Sequence, residues 1–347
     1  MRRFCLVFMA TVCGFALPPE AGSAQTANEL SDRYSAAVRA YQRGDERGAQ
    51  SVLQWSRRDL QRVVPHFLDG RDRSFAEAAA VLHTELAVYG MISGLSAGSL
   101  HLELAETLVR SMRSSLEASA LEFTERWYGF AASVFLGRTN PGRARLVIDR
   151  GLKLFPRSPR LHMISGVIQE LVAHLANPEC TGPKCDTLPE RSPVASRLAF
   201  AEEEYRFALE GDPRLMEARL RLGRVLFLRN QRKPARQELD AVTKDSTDAR
   251  LLYLGHLFLG GLDVFENDLP RARREYEAAL EAVPEYLSPY IALSFVEQMS
   301  GRESHAREVL AIAATLPKMP LNDPWREYQN GGLDLESLQW LRVRIRR

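Results

Sequence analysis

Residues 201–240 read AEEEYRFALEGDPRLMEARLRLGRVLFLRNQRKPARQELD, and the fold follows from this stretch. Ala201, Tyr205 and Ala208 share one helical face and Pro213 follows them. Leu222 and Gly223 then open the next unit, and Ala235 and Leu239 return 34 positions after Ala201 and Tyr205. The same order of small and large residues fits Ala144, Ile148, Gly151 and Pro156 upstream. Downstream it fits Ala272, Tyr276, Ala279 and Pro284, then Gly301, Ala306, Leu310 and Ala313. Apolar residues spaced by three and four, with small residues at fixed points, are the pattern of helices that pack closely in pairs.

This order of residues resembles the tetratricopeptide repeat, whose period is 34 residues. The resemblance covers Glu125 to Pro317 well and Ala27 to Met112 loosely. It implies an all-α chain, an α-solenoid of helix-turn-helix units wound into a right-handed superhelix. One unit spans Glu125 to Ser158, with Tyr128, Ala132 and Phe135 on helix A and Ala144 and Ile148 on helix B. The next helix A begins near Pro159 and carries Gly166, 34 positions after Ala132. Its helix B is delayed by an insertion at residues 177–193, a loop by its four prolines and Gly182. The unit from Thr247 to Glu285 carries Leu251, Leu254, Gly255 and Phe258 on helix A and inserts five residues around Gly261–Phe265 before helix B. The last full unit runs from Tyr286 to Pro317.

Four regions follow: residues 1–24, 25–118, 119–318 and 319–347. In the second, Tyr41, Gly44, Asp45, Ala49 and Leu53 suggest a first hairpin, and Ser74–Tyr89 with Ser99–Met112 read as a divergent helix pair. In the last, prolines and Gly331-Gly332 frame a loop holding Trp325 and Tyr328. A final helix with Leu338, Leu341 and Ile345 on one stripe is expected to cap the open end of the solenoid. Its Arg342, Arg344, Arg346 and Arg347 suit the negative end of a helix dipole better than a nucleic-acid tail.

Arg2 and Arg3, the apolar run Phe4–Leu17 and the small residues before Gln25 have the layout of a secretory signal peptide cut after Ala24. The run is too short to span a bilayer, so no membrane span is expected after cleavage. The expected location is outside the cytoplasm, most simply the bacterial periplasm, with secretion or envelope association as alternatives. Cys180 and Cys185 flank a Gly-Pro turn, which in an exported chain suggests a local disulfide. Zinc would want a second pair of ligands, and the spacing is not that of a redox Cys-x-x-Cys. A formal net charge of +2 gives no electrostatic case for nucleic acid.

Gly94-Leu95-Ser96-Ala97-Gly98 matches the serine-hydrolase elbow, which needs a strand before the serine and a helix after it. The preceding segment reads as helix, so a hydrolase using Ser96 stands as the alternative to a non-catalytic scaffold. No metal, phosphate or cofactor motif occurs in the chain, so no cofactor is expected.

The resemblance also implies a binding groove lined by helix A of successive units. Carried over position by position, it comprises Arg126 and Ser133, then Arg160, Met163 and Glu170, then Glu217, Arg224 and Phe227. His256 follows, then Phe295 and Gln298. Leu220, Leu252 and Ile291 fall at further groove positions or pack against a neighbouring helix. The Lys and Asn of carboxylate-clamping family members are absent. This mixed surface suits an extended segment or helix of a partner protein, anchored by apolar residues and oriented by Arg224 and Glu170. Self-association is the third reading.

Overall fold

The computed structural model describes residues 27–45, 51–68, 72–92, 98–112, 118–136, 140–176, 192–316, 323–325, 328 and 335–346. The expected signal segment, Ser96, Cys180, Cys185 and nearly all of the insertion lie outside these residues. The described chain is helical throughout, with no strand among the described residues. Its helices are α1 (Ala27–Gln42), α2 (Arg57–Val63), α3 (Arg73–Ile92), α4 (Gly98–Ser111) and α5 (Ala118–Leu136). They continue as α6 (Pro141–Leu154), α7 (Pro159–Ala176), α8 (Pro193–Gly211), α9 (Met216–Leu228) and α10 (Arg232–Asp245). The last are α11 (Ala249–Phe265), α12 (Leu269–Ala282), α13 (Leu287–Met299), α14 (Glu303–Thr315) and α15 (Leu335–Ile345).

From α3 to α14 each helix packs on its neighbours in chain order, and the hairpins α3–α4, α5–α6, α7–α8, α9–α10, α11–α12 and α13–α14 stack into an all-α solenoid. The repeating small residues explain why. Gly166 on α7 lies against the Tyr205 ring of α8, and Gly223 on α9 lies against the Leu239 side chain of α10. Helix B begins sharply in three units. Asn140, Ser192 and Asp268 accept backbone N–H bonds from the first turns of α6, α8 and α12, each with a proline just inside. A cap of this kind contributes ~1 kcal/mol.

The structure departs from expectation in three places. The first hairpin is irregular: α1 buries Leu30, Tyr34, Val38 and Tyr41, but residues 51–54 form only a single tight turn before α2. In the α11–α12 hairpin the surplus residues are not an excursion after Gly260. Tyr276 packs on Gly260, 16 positions upstream, as Leu239 packs on Gly223, also 16 upstream. The extra length is therefore one helical turn added to α11 before Gly260, which holds in α11 the close-contact place that Gly223 holds in α9.

The third departure concerns α15, which does not cap the C-terminal end. It packs on α3 and α5, in the first two of the six stacked hairpins, where Leu341 and Ile345 join the apolar core. On α14, Leu310 and Ile312 stay 45% and 52% exposed. The destination follows from charge and shape. Arg342 pairs with Glu85 at 2.6 Å, Arg344 pairs with Glu77 at 3.0 Å, and Trp340 lies 4.5 Å beneath the Arg126 guanidinium. Arg342 and Arg344 thus serve specific acidic partners on α3.

Candidate functional site

Between α7, α9 and α11 lies a buried charge cluster. Glu170 of α7 accepts hydrogen bonds from Arg221 (2.8 Å) and Arg224 (3.3 Å) of α9. Glu217, one turn before Arg221, accepts from Arg221 and from Arg250 of α11, both at 2.8 Å. Residues four apart on one helix face the same way, which lets α9 offer Glu217 and Arg221 together. Burial alone would push the Glu217 carboxyl up, but Arg221 and Arg250 outweigh it and hold it below its ordinary value. Glu217 is therefore a carboxylate at neutral pH and a strong acceptor.

What it accepts from is the chain's own C-terminal segment. The Tyr328 hydroxyl donates to Glu217 at 2.7 Å, its ring lies 4.1 Å below the Arg221 guanidinium, and its edge meets Phe258 at 5.6 Å. Burial, with the Glu217 charge beside it, pushes the Tyr328 hydroxyl well above its ordinary pKa. Trp325 packs edge-on against Phe258 at 5.3 Å, with the Arg224 guanidinium 5.9 Å from its ring. Asp323 is buried at the start of α13. One of its oxygens accepts from the Tyr253 hydroxyl at 2.7 Å and the other from the Ser288 hydroxyl at 2.5 Å and the Ser288 N–H at 3.2 Å. The positive end of a helix dipole favours a carboxylate there. With α15 on α3 and α5, this C-terminal segment touches the groove from α13 back to α3.

The hairpin stack and its glycine contacts define the architecture. The fold is a tetratricopeptide-type α-solenoid. No protein-family model matches the chain, and no curated protein matches it. Several solved structures are similar. MamA of Desulfovibrio magneticus RS-1, residues 41 to the end, is 21% identical, with 55% of this chain and 94% of that one covered and a TM-score of 0.42. YrrB, described as a TPR protein with an unusual peptide-binding site, is 17% identical over 57% of this chain and 92% of its own, with a TM-score of 0.37. A human IFIT1 dimer with PPP-AAAA is 15% identical over 83% of this chain and 63% of its own, with a TM-score of 0.43. All three scores lie below 0.5, so the fold assignment rests on the register geometry of the chain itself.

The groove residues named from the sequence meet different fates. Arg126, Glu217 and Arg224 do meet the C-terminal segment. Arg224 and Glu170 are buried and paired with each other, so neither is free to orient a partner as expected: helices α7 and α9 approach closely enough for their long side chains to meet. Ser133 is buried and donates to the Phe130 carbonyl, Met163 packs against the core, and Phe227 meets the Phe265 ring edge-on. Arg160 lines a small cleft with Arg126, Glu125 and Asp212 at one edge of the solenoid. His256 faces Glu275 of α12 at 2.9 Å, and the α11 residues that reach the C-terminal segment are Tyr253 and Phe258. The added turn in α11 explains this, because it shifts the register on which the carry-over relied. Phe295 and Gln298 are exposed, as is Ile291, whereas Leu220 is core.

Arg221, Tyr253, Phe258 and Ser288 were not singled out as groove residues. The available signal lay in the other partner: Trp325 and Tyr328 are large aromatics in a proline- and glycine-rich stretch, and such side chains need somewhere to bury. Elsewhere, the described chain before Gly94 is helix α3, where a hydrolase elbow would need a strand. Among the described residues no three His, Cys, Asp or Glu side chains gather as a metal site, and no helix is long and apolar enough to cross a membrane.

Proposed function

We propose that this chain is a non-catalytic interaction scaffold that holds a segment of a partner polypeptide in the concave groove of its solenoid. One observation carries the reading: the groove already grips a peptide segment, that of its own C-terminal region, through aromatic, hydroxyl and carboxylate contacts from α9, α11 and α13. Beyond it on α13, Ile291, Phe295 and Met299 are 53%, 50% and 57% exposed. Apolar residues at such spacing on one helix offer anchors for a docked segment.

We place this activity in the bacterial envelope, on the strength of the Arg2-Arg3 start and the apolar run that follows. There the scaffold would hold its partner during assembly, secretion or surface organisation. In that setting Cys180 and Cys185 would form a disulfide that staples the inserted loop. Expression in the native host with photo-crosslinkers at Ile291 and Phe295 tests the groove. One dominant adduct, lost when Phe295 becomes Asp, is the expected result; a Phe295→Asp chain that keeps the adduct would defeat the reading. Sequencing the N-terminus of the same material should begin at Gln25. Intact mass before and after reduction and alkylation reports on the cysteine pair.

A further inference from the structure

The C-terminal segment is more than packing for an otherwise empty face; its contacts specify a ligand chemistry. Asp323 presents a carboxylate to the N–H and hydroxyl of Ser288 and the hydroxyl of Tyr253, and it is only 4% exposed. Two positions on, Trp325 takes an aromatic slot against Phe258, and five positions on, Tyr328 fills the space under Arg221 with its hydroxyl on Glu217. The residues that form this seat belong to the repeats. Arg221 and Phe258, both of which face Tyr328, hold the same place relative to Gly223 and Gly260, two positions before each. The seat is thus built by the solenoid's own periodicity, and the segment that fills it comes from outside the repeats.

From Ser288 the same face of α13 runs on through Ile291 and Phe295, at steps of three and four, and these side chains stay exposed. An incoming segment with apolar residues beside its carboxylate would gain contacts there, because about half of the Ile291 and Phe295 side chains stays open to it. A competitor held on the same chain acts at an effective concentration of about 1 mM. It therefore lowers the apparent affinity for anything that uses the same seat, by the fraction of time the seat is closed.

We propose that the seat between α9, α11 and α13 is a receptor for an acidic–aromatic segment of a partner protein, and that Asp323–Tyr328 is the built-in competitor that closes it. The partner segment carries a carboxylate, an aromatic residue two positions later, a second aromatic three beyond that, and apolar residues for Ile291 and Phe295. This rests on the groove-binding reading above and adds the chemistry of the partner and the means of its control.

The test uses the full mature chain and a fluorescein-labelled peptide of residues 318–329, KMPLNDPWREYQ, followed by anisotropy. A chain carrying Asp323→Ala, Trp325→Ala and Tyr328→Ala should bind the peptide at least about tenfold tighter than wild type. The single, nearly isosteric Asp323→Asn change should give a smaller gain in the same direction, which guards against misfolding of the triple variant. Adding Tyr253→Phe and Ser288→Ala to the triple variant should abolish the gain. A peptide with alanine at the three key positions should not bind. Equal, weak binding to wild type and both opened variants would overturn the proposal. The Phe295 crosslink in the host then shows whether groove binding itself falls with it or only this partner chemistry. A wild-type dimer, by light scattering, that the triple substitution dissolves would make a second copy the occupant and overturn the assignment to a partner.

Discussion

A Cβ built on Gly166 would stand 2.5 Å from the Tyr205 ring, and the ring is fully buried with nowhere to retreat. Gly166→Ala is expected to cost about 2–3 kcal/mol, as overpacking of a tight core does, measured as a lower urea midpoint with unchanged slope. Gly142→Ala, on an open stretch of α6, should be neutral or slightly stabilising. The buried charges respond to removal in a different way. Arg221→Met leaves Glu170 and Glu217 short of a partner inside the protein and is expected to cost about 3–5 kcal/mol, with Glu170→Gln in the same chain recovering part of it. A third site is sensitive to acid. The Tyr34 hydroxyl meets His83 Nε2 at 2.8 Å, and His83 Nδ1 meets His101 Nδ1 at 2.8 Å, all of it buried. Burial, and for His83 also the neighbouring His101, lowers both imidazole pKa values, that of His101 to about 4. The unfolded chain takes up these protons below an ordinary histidine pKa near ~6.5, the folded chain only lower. Stability is therefore complete above that value and falls as pH drops from there toward 4. Denaturant titrations across this range should show the loss in wild type and a shallower one in His101→Gln.

At the scale of the helix and its turns, the repeat was legible because its determinants are local. Ala235, Leu239, Ala272 and Tyr276 occupy the buried places their spacing required. The turns between the paired helices add a signal that the spacing alone does not carry. Asn230, Asn267 and Gly301 have φ of +57°, +61° and +76° at equivalent points between helix A and helix B. Asparagine and glycine tolerate this left-handed region. Asn267→Ala should lose about 1 kcal/mol in thermal or urea unfolding while Asn267→Gly stays near wild type. The added turn in α11 was misplaced because an insertion inside a helix leaves the apolar pattern intact. Only the packing of Tyr276 on Gly260 shows which glycine keeps the register. That local ambiguity carried His256 into the list of groove residues in place of Tyr253 and Phe258.

Across the whole molecule the reading of the sequence reached its limit at the C-terminal segment. Its helix and its aromatic residues were visible, but their destination depends on contacts such as Arg344 with Glu77, which lie 267 positions apart and leave no periodic trace. The apolar stripe of α15 is equally suited to an end cap, and only the acidic pair on α3 and the Arg126–Trp340 contact decide between the two places. A chain ending after Leu316 is expected to keep its helical circular dichroism, since the hairpins hold one another. It should also melt several degrees lower and bind more of an apolar-surface dye, because Phe258, Phe123 and their neighbours lose their cover. Full loss of helicity would show instead that the solenoid does not stand without this segment.

The attachment points of the C-terminal segment also have a mechanical meaning. Ser288 at one end and Glu77 at the other belong to hairpins far apart along the arc of the stack. A segment seated at both acts as a string across a bow. Helical solenoids flex as springs, since each unit touches only its neighbours, and a chord across the arc sets how far such a spring can open. Unseating Asp323 and Tyr328 would then change curvature as well as access, and the solenoid could lengthen or tighten around whatever takes their place. Solution scattering from the wild type and the triple variant would register this as a change in radius of gyration. The same few hydrogen bonds would set both the occupancy of the groove and its pitch.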